Sequence, residues 1–266
     1  MGETVDIKRE GAIARVVMHR KGNNSIAGDM VSELVAAFEE LGADPEVRVI
    51  VLASEYERYF SVGADLGEMA AIDRGATDAV EQIYGFMRSG QRGFDQIAAT
   101  PKPVIAAING HALGGGCELA LTCDYRVMVE DGRSKIGQTE SALGIMPGAG
   151  GTQRLVRLIG KAKAYPMLLE SQRLSAKEAE AVGLVDRAVA PEEFAGVVDE
   201  LAQRLAKAPT MALAMIKDAV NRGQDLPLEE AQEIEARNFA RLALTEDAVM
   251  GVVAFLQKTE PDFKGR

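Results

Sequence analysis

Tryptophan is missing from the 266 residues, and histidine and cysteine occur only twice each. The two histidines, His19 and His111, show no His-Cys-carboxylate spacing, which argues against a structural or catalytic metal. Cys117 and Cys123 form no Cys-x-x-Cys pair and read as free buried thiols in a reducing compartment. No apolar run approaches the roughly 20 residues of a membrane span. The opening is polar at once (Gly2, Glu3, Asp6), unlike a secretory leader, so a cytoplasmic protein away from membranes is expected. Positive charge is in deficit, 30 Lys and Arg against 40 Asp and Glu, for a net −10. That balance argues against nucleic acid as a partner but not against an anionic small ligand, which a few local donors can hold. What is present, 47% apolar and 26% charged residues, is ordinary for a soluble globular chain long enough for one large domain or a domain with an appendage.

Strand and helix patterns alternate through the first half. Residues 5–9 and 12–18 read as a hairpin turned at Glu10-Gly11. Met30, Leu34, Phe38 and Leu41 recur at helical spacing over 29–41. VRVIVL (47–52) and PVIAAI (103–108) read as buried strands. DYRVMV (124–129) reads as another, followed by a turn at Asp131-Gly132 and a short return strand. Ser175-Ala176-Lys177-Glu178 is a capping box for a short helix that Gly183 ends. From about residue 191 prolines punctuate a run of helices, the last opening at Thr245-Glu246-Asp247. Such a tail can cover a site or a subunit interface.

Residues 107–124 read AINGHALGGGCELALTCD. Glycines at a strand-to-helix turn have two readings. They permit close packing, or they leave the unpaired N–H groups of a helix N-terminus open to a ligand oxygen. Gly63-Ala64-Asp65 offers a second exposed N–H at Ala64, and two converging N–H groups would form an oxyanion hole. Glu118 follows the glycines, where a glutamate is also simply favoured by the helix dipole. Glu140 precedes the glycine-punctuated LGIMPGAGGTQR and could be no more than a solvated loop charge. The two carboxylates lie 22 positions apart, so no single helix face carries both.

AAINGHALGGGCELALTCDYRV, YFSVGADLGEM and GQTESALGIMPGAGGTQRL together closely resemble the enoyl-CoA hydratase/isomerase (crotonase) superfamily, and the likeness runs the length of the chain to FLQKTEPDFKGR. The resemblance implies an α/β fold of stacked ββα units forming a short superhelix. It implies an active-site core over residues 1–195 and a C-terminal helical region, 196–266, that covers the site and drives trimerisation. A homotrimer, or a homohexamer as a dimer of trimers, would follow. The implied activity is reversible syn-addition of water to a trans-2-enoyl-CoA, giving a 3-hydroxyacyl-CoA. No metal or other cofactor is implied, coenzyme A being part of the substrate. By the same resemblance Glu118 and Glu140 are the catalytic pair, and the N–H groups of Ala64 and Gly115 bind the thioester oxygen. Gly148 positions the water. Lys21, Gly22, Asn23 and Ser25, then Ala64, Asp65, Leu66 and Gly67, and finally Lys258 contact coenzyme A.

Having both glutamates, the chain resembles hydratases more than those relatives that only shift a double bond and lack the first. A non-enzymatic, RNA-binding relative fits poorly with the net charge. Two departures stand out: Gly67 where the superfamily often has lysine, which weakens the implied phosphate contact, and Thr139 where proline is common. His111 reads as a packing residue and His19 as the end of a strand. Most of the 11 methionines read as core filler, with Met69 a possible pocket liner.

Overall fold

The computed structural model describes residues 2–266, with the side chain of Met69 outside the described part, so the reading of Met69 as a pocket liner lies outside it too. In chain order the elements are β1 (Val5–Glu10), β2 (Ile13–Met18), β3 (Ser25–Ile26), α1 (Gly28–Ala43), β4 (Val49–Ser54), β5 (Tyr59–Ser61), β6 (Gly63–Ala64), α2 (Leu66–Ala70) and α3 (Ala79–Ala98). There follow β7 (Val104–Ile108), β8 (His111–Leu113), α4 (Gly115–Ala120), β9 (Tyr125–Val129), β10 (Ile136–Gly137) and a 3-10 turn at Glu140–Leu143. The chain then runs through α5 (Gly151–Ile159), α6 (Lys161–Leu169), α7 (Ala176–Val182), β11 (Arg187–Val189), α8 (Pro191–Ala206), α9 (Thr210–Gly223), α10 (Leu228–Leu242) and α11 (Glu246–Gln257).

Strands β1, β2, β4, β7, β9 and β11 form one sheet in that order, antiparallel at the β1–β2 hairpin and parallel beyond it. A smaller parallel sheet runs β5, β8, β10. The chain therefore places one strand in the large sheet, the next in the small sheet, and then a helix, three times over: β4 and β5, β7 and β8, β9 and β10. Each pass advances one position in both sheets, which makes a short superhelix.

The apolar runs follow from this layering, because a parallel strand is buried on both faces. Ile50 and Leu52 point with Ala106 and Ile108 into the larger core, beside Leu34 and Phe38 of α1 and Cys117 and Leu119 of α4. Val49 and Val51 point with Ile105 and Val127 to the other face, which α8 covers with Val198, Leu201 and Leu205. Both cysteines are buried free thiols. The Ser175–Glu178 capping box is formed in both directions, and Gly183 ends α7 at φ +83°.

One expectation needs correction. The strand after the Asp131-Gly132 turn does not return along β9. Asp131 accepts from the N–H groups of Arg133 and Ser134, and the chain turns away to pair β10 parallel with β8 in the small sheet. This diversion carries Glu140 toward α4. Periodicity reading also passed over α3, a 20-residue helix interrupted by Gly85, Gly90 and Gly93. Gly93 has a packing reason: a Cβ there would meet Val31 of α1 at 2.5 Å. Among the described residues no helix is long and apolar enough to cross a membrane.

Candidate active site

The three glycines ahead of Glu118 are confined for three different reasons. Gly114 sits at φ +52°, ψ −124°, a conformation closed to side-chain-bearing residues. A Cβ there would also stand 2.8 Å from a Glu140 carboxylate oxygen. A Cβ on Gly115 would press on the Ala64 nitrogen at 3.2 Å, and one on Gly116 would run into the Ser61 carbonyl at 2.4 Å. Gly63, at φ +101°, abuts the same turn, its absent Cβ 3.0 Å from the Gly115 nitrogen. The Ala64 and Gly115 peptides thus lie against each other. Gly115 opens α4, so its N–H has no partner within the helix.

Glu118 is only 3% exposed. Its Oε1 accepts from the N–H groups of Ala149 at 2.8 Å and Gly151 at 2.7 Å, on the loop that enters α5. Burial pushes its carboxyl up to about 7, aided by the neighbouring Glu140 charge and opposed by those two N–H groups and by Arg154. Glu140 opens the 3-10 turn. Burial raises its carboxyl above the usual range as well, partly offset by the N–H groups of Glu140 and Thr139. Its Oε2 is buried without a hydrogen-bond partner among the described residues. Two carboxyls with raised pKa values, supplied by separate elements, can divide proton donation and acceptance near neutral pH.

Both glutamates, Ala64, Gly115 and Gly148 line one cavity of about 580 Å³. Its remaining wall is largely apolar, with Val31 of α1, Ile83, Phe86, Met87 and Phe94 of α3, and Ile145 and Met146. Gly148 has no room for a side chain, since a Cβ would meet the Met87 sulfur at 2.5 Å. The Gln91 amide donates to the Gly148 carbonyl at 2.7 Å.

The residues assigned to coenzyme A sit differently. Lys21, Gly22, Asn23 and Ser25 form the loop into β3, and Asp65, Leu66 and Gly67 open α2; none of them lines the cavity. The two segments are joined by β3–β6 pairing and by Arg20, which donates to Ser25 at 2.8 Å and to Asp65 at 2.7 Å. Asp65 also caps α2 by accepting from the Gly67 N–H. That ion pair holds the Asp65 carboxyl below its usual range. Lys258 ends α11 in the left-handed region and does not line the cavity in this chain. Outside the site, His111 accepts from the Lys135 N–H at 3.0 Å, and His19 faces Asp6 at 3.7 Å.

Sequence reasoning passed over four site neighbours: Arg20, Met87, Gln91 and Gln138. Gln138 is buried beside Gly151 and Glu118, and both atoms of its amide lack a partner among the described residues. It lay within a quoted motif without a role. Met87 and Gln91 had a weak signal, the spacing of Ile83, Met87, Phe94 and Ile97, which the glycines of α3 obscured.

Comparison with known proteins matches residues 8–266 to the family model described as enoyl-CoA hydratase/isomerase. A probable enoyl-CoA hydratase of Rhizobium meliloti is 38% identical over 99% of both chains. The crotonyl-CoA hydratase of Syntrophomonas wolfei is 37% identical over 98% of both. A solved enoyl-CoA hydratase structure from Geobacillus kaustophilus superposes with a TM-score of 0.93 at 34% identity, covering 100% of this chain and 98% of the other. The stacked ββα architecture is therefore the crotonase fold.

Proposed function

The chain belongs to the enoyl-CoA hydratase/isomerase family and is an enzyme of the hydratase type, and we propose that it reversibly adds water to a trans-2-enoyl-CoA, giving a 3-hydroxyacyl-CoA. The observation that carries this reading is the meeting of Glu118 and Glu140 over the Ala64 and Gly115 peptides in one apolar cavity. A thioester oxygen placed at those two N–H groups gains their support as negative charge develops on it, and the β-carbon becomes open to attack. One such donor is worth about 3–4 kcal/mol of barrier. Glu118, ionised and held by Ala149 and Gly151, takes a proton from the attacking water, which the Gly148 N–H helps to fix. Glu140 delivers a proton to the α-carbon. The reaction needs no cofactor in this scheme, because coenzyme A arrives with the substrate. Its nucleotide end would run past the Lys21–Ser25 loop and the start of α2. Fatty-acid β-oxidation or related acyl-CoA catabolism in the cytoplasm is the setting that fits.

Exposed apolar side chains on α9 to α11, among them Val220, Phe239, Val252 and Phe255, support assembly into a trimer or hexamer through the C-terminal helices. In such an assembly Lys258 could reach coenzyme A on a neighbouring subunit.

The test is loss of the enoyl-thioester absorbance of crotonyl-CoA. Glu118→Ala and Glu140→Ala are each expected to slow turnover by about 10²–10⁴-fold with the fold retained. Near-normal turnover in either variant removes that glutamate from the mechanism. If wild type leaves crotonyl-CoA unchanged but moves the double bond of a 3-enoyl-CoA, the activity is isomerisation, for which the Glu140 carboxyl alone would suffice.

A further inference from the structure

One peptide unit joins the outer wall of the cavity to its buried carboxylate. The Gly148 carbonyl and the Ala149 N–H belong to the same amide plane. On one side the carbonyl accepts from Gln91 Nε2 on α3 at 2.7 Å. On the other side the N–H donates to Glu118 Oε1 at 2.8 Å. The next carbonyl, that of Ala149, accepts from Arg154 at 3.0 Å, and Arg154 is paired with Asp95, one turn beyond Gln91 on α3. Gln91 is itself oriented by Arg88, which donates to its amide oxygen.

We propose that Gln91 is a positioning residue, which fixes the Gly148–Ala149 peptide so that its N–H stays aimed at the Glu118 carboxylate. The inference rests on the hydratase reading above. A donor on a carbonyl polarises the amide and strengthens the hydrogen bond that its own N–H gives. It also stops the plane from rocking, and Gly148, without a side chain, offers no resistance of its own. Among the described residues, the charged and titratable groups that bear most on Glu118 are Glu140 from the 3-10 turn, Arg154 from α5, and the Cys117 thiol of α4, which burial keeps neutral. From α3, Arg88 and Asp95 act through Gln91 and Arg154. Losing the Gln91 donor removes support from ionised Glu118, so that Glu118 must hold its proton to higher pH.

The experiment uses Gln91→Leu, which keeps the bulk and loses the donor, and Gln91→Glu, which keeps the shape but cannot donate once ionised. The pH profile of kcat/KM for crotonyl-CoA is read alongside infrared titration of the Glu118 carboxyl, assigned by difference from Glu118→Gln. In Gln91→Leu the acid limb and the infrared titration are both expected to move up by roughly half a pH unit, a several-fold loss of turnover at pH 6. KM should change little, and Gln91→Glu should move in the same direction. An unmoved infrared titration in both variants, or an effect on KM alone, overturns the proposal and leaves Gln91 a wall residue. If wild type does not hydrate crotonyl-CoA, it is the reaction that was misassigned, and the infrared titration still decides whether Gln91 governs Glu118.

Discussion

Two walls of the same cavity are built to different standards. All six residues of α4 are buried, and its glycines are hemmed in by Ser61, Ala64 and Glu140. By contrast α3 buries only Ala79, Gly93, Phe94 and Ile97 of its 20 residues, and leaves Val80 and Tyr84 exposed. The floor carries the groups that meet charge in the reaction, so their positions tolerate little error. The outer wall meets an acyl chain, where the interactions are non-directional and scale with area. Close confinement at α4 and looser packing at α3 thus match what each surface must recognise.

The comparison breaks most sharply at Gly114. Gly114→Ala forces a side chain into a φ +52° site and onto the Glu140 carboxylate. A backbone cost of about 1–3 kcal/mol is expected, with the fold retained. Displacement of Glu140 should lower turnover by about 10²-fold or more, measured with crotonyl-CoA and checked by circular dichroism. A fully active alanine variant would mean that the floor is as adaptable as the outer wall.

A smaller effect, of opposite sign for stability, is expected at Glu118. Burial raises its carboxyl from 4.5 to about 7, so the folded state disfavours the ionised form. The sign follows: the destabilisation is absent below the unfolded value, grows as pH rises through the folded value, and is complete above it. Glu118→Gln should therefore be more stable than wild type at pH 8–9, by on the order of 3 kcal/mol, and the two should converge near pH 4–5. Urea unfolding at the two pH values checks this. Equal stability at high pH would show that the N–H groups of Ala149 and Gly151 fully offset burial. A more stable glutamine variant at high pH would mean that the floor trades stability for a carboxylate poised near neutral pH.

The same contrast explains what the sequence could reveal. The floor is legible because its constraints are local and exclude nearly every other residue: consecutive glycines, a glutamate one turn later, a buried strand on either side. Continuous apolar runs such as VRVIVL identify strands covered on both faces. The split of successive strands between two sheets was not legible, because β8 and β10 are only three and two residues long. Their pairing is fixed by long-range contacts that leave no period of their own. Helix α3 was obscured by its glycines, one of which exists to let α1 approach. Gln91 and Met87 act across the cavity on a loop more than 50 positions away, and nothing in their neighbourhood marks that contact.

The outer wall gives the mildest prediction, and the one that bears most directly on substrate choice. Met87 packs against Gly148 and faces the cavity with Phe86 and Ile83. Met87→Ala removes flexible bulk from a half-buried position, so the wall can relax and the fold should lose little. Each additional methylene that the acyl chain buries in the vacated space is worth about 0.8 kcal/mol, or roughly fourfold in binding. The preference among enoyl-CoA substrates should therefore move toward longer chains by a few-fold, as KM. The kcat for crotonyl-CoA should stay within a few-fold of wild type, because Gln91 still holds the Gly148 carbonyl. A large fall in kcat without a change in chain-length preference would show that Met87 supports the water-binding loop rather than the acyl chain. The difference between the two walls would then lie in packing alone and not in what each recognises.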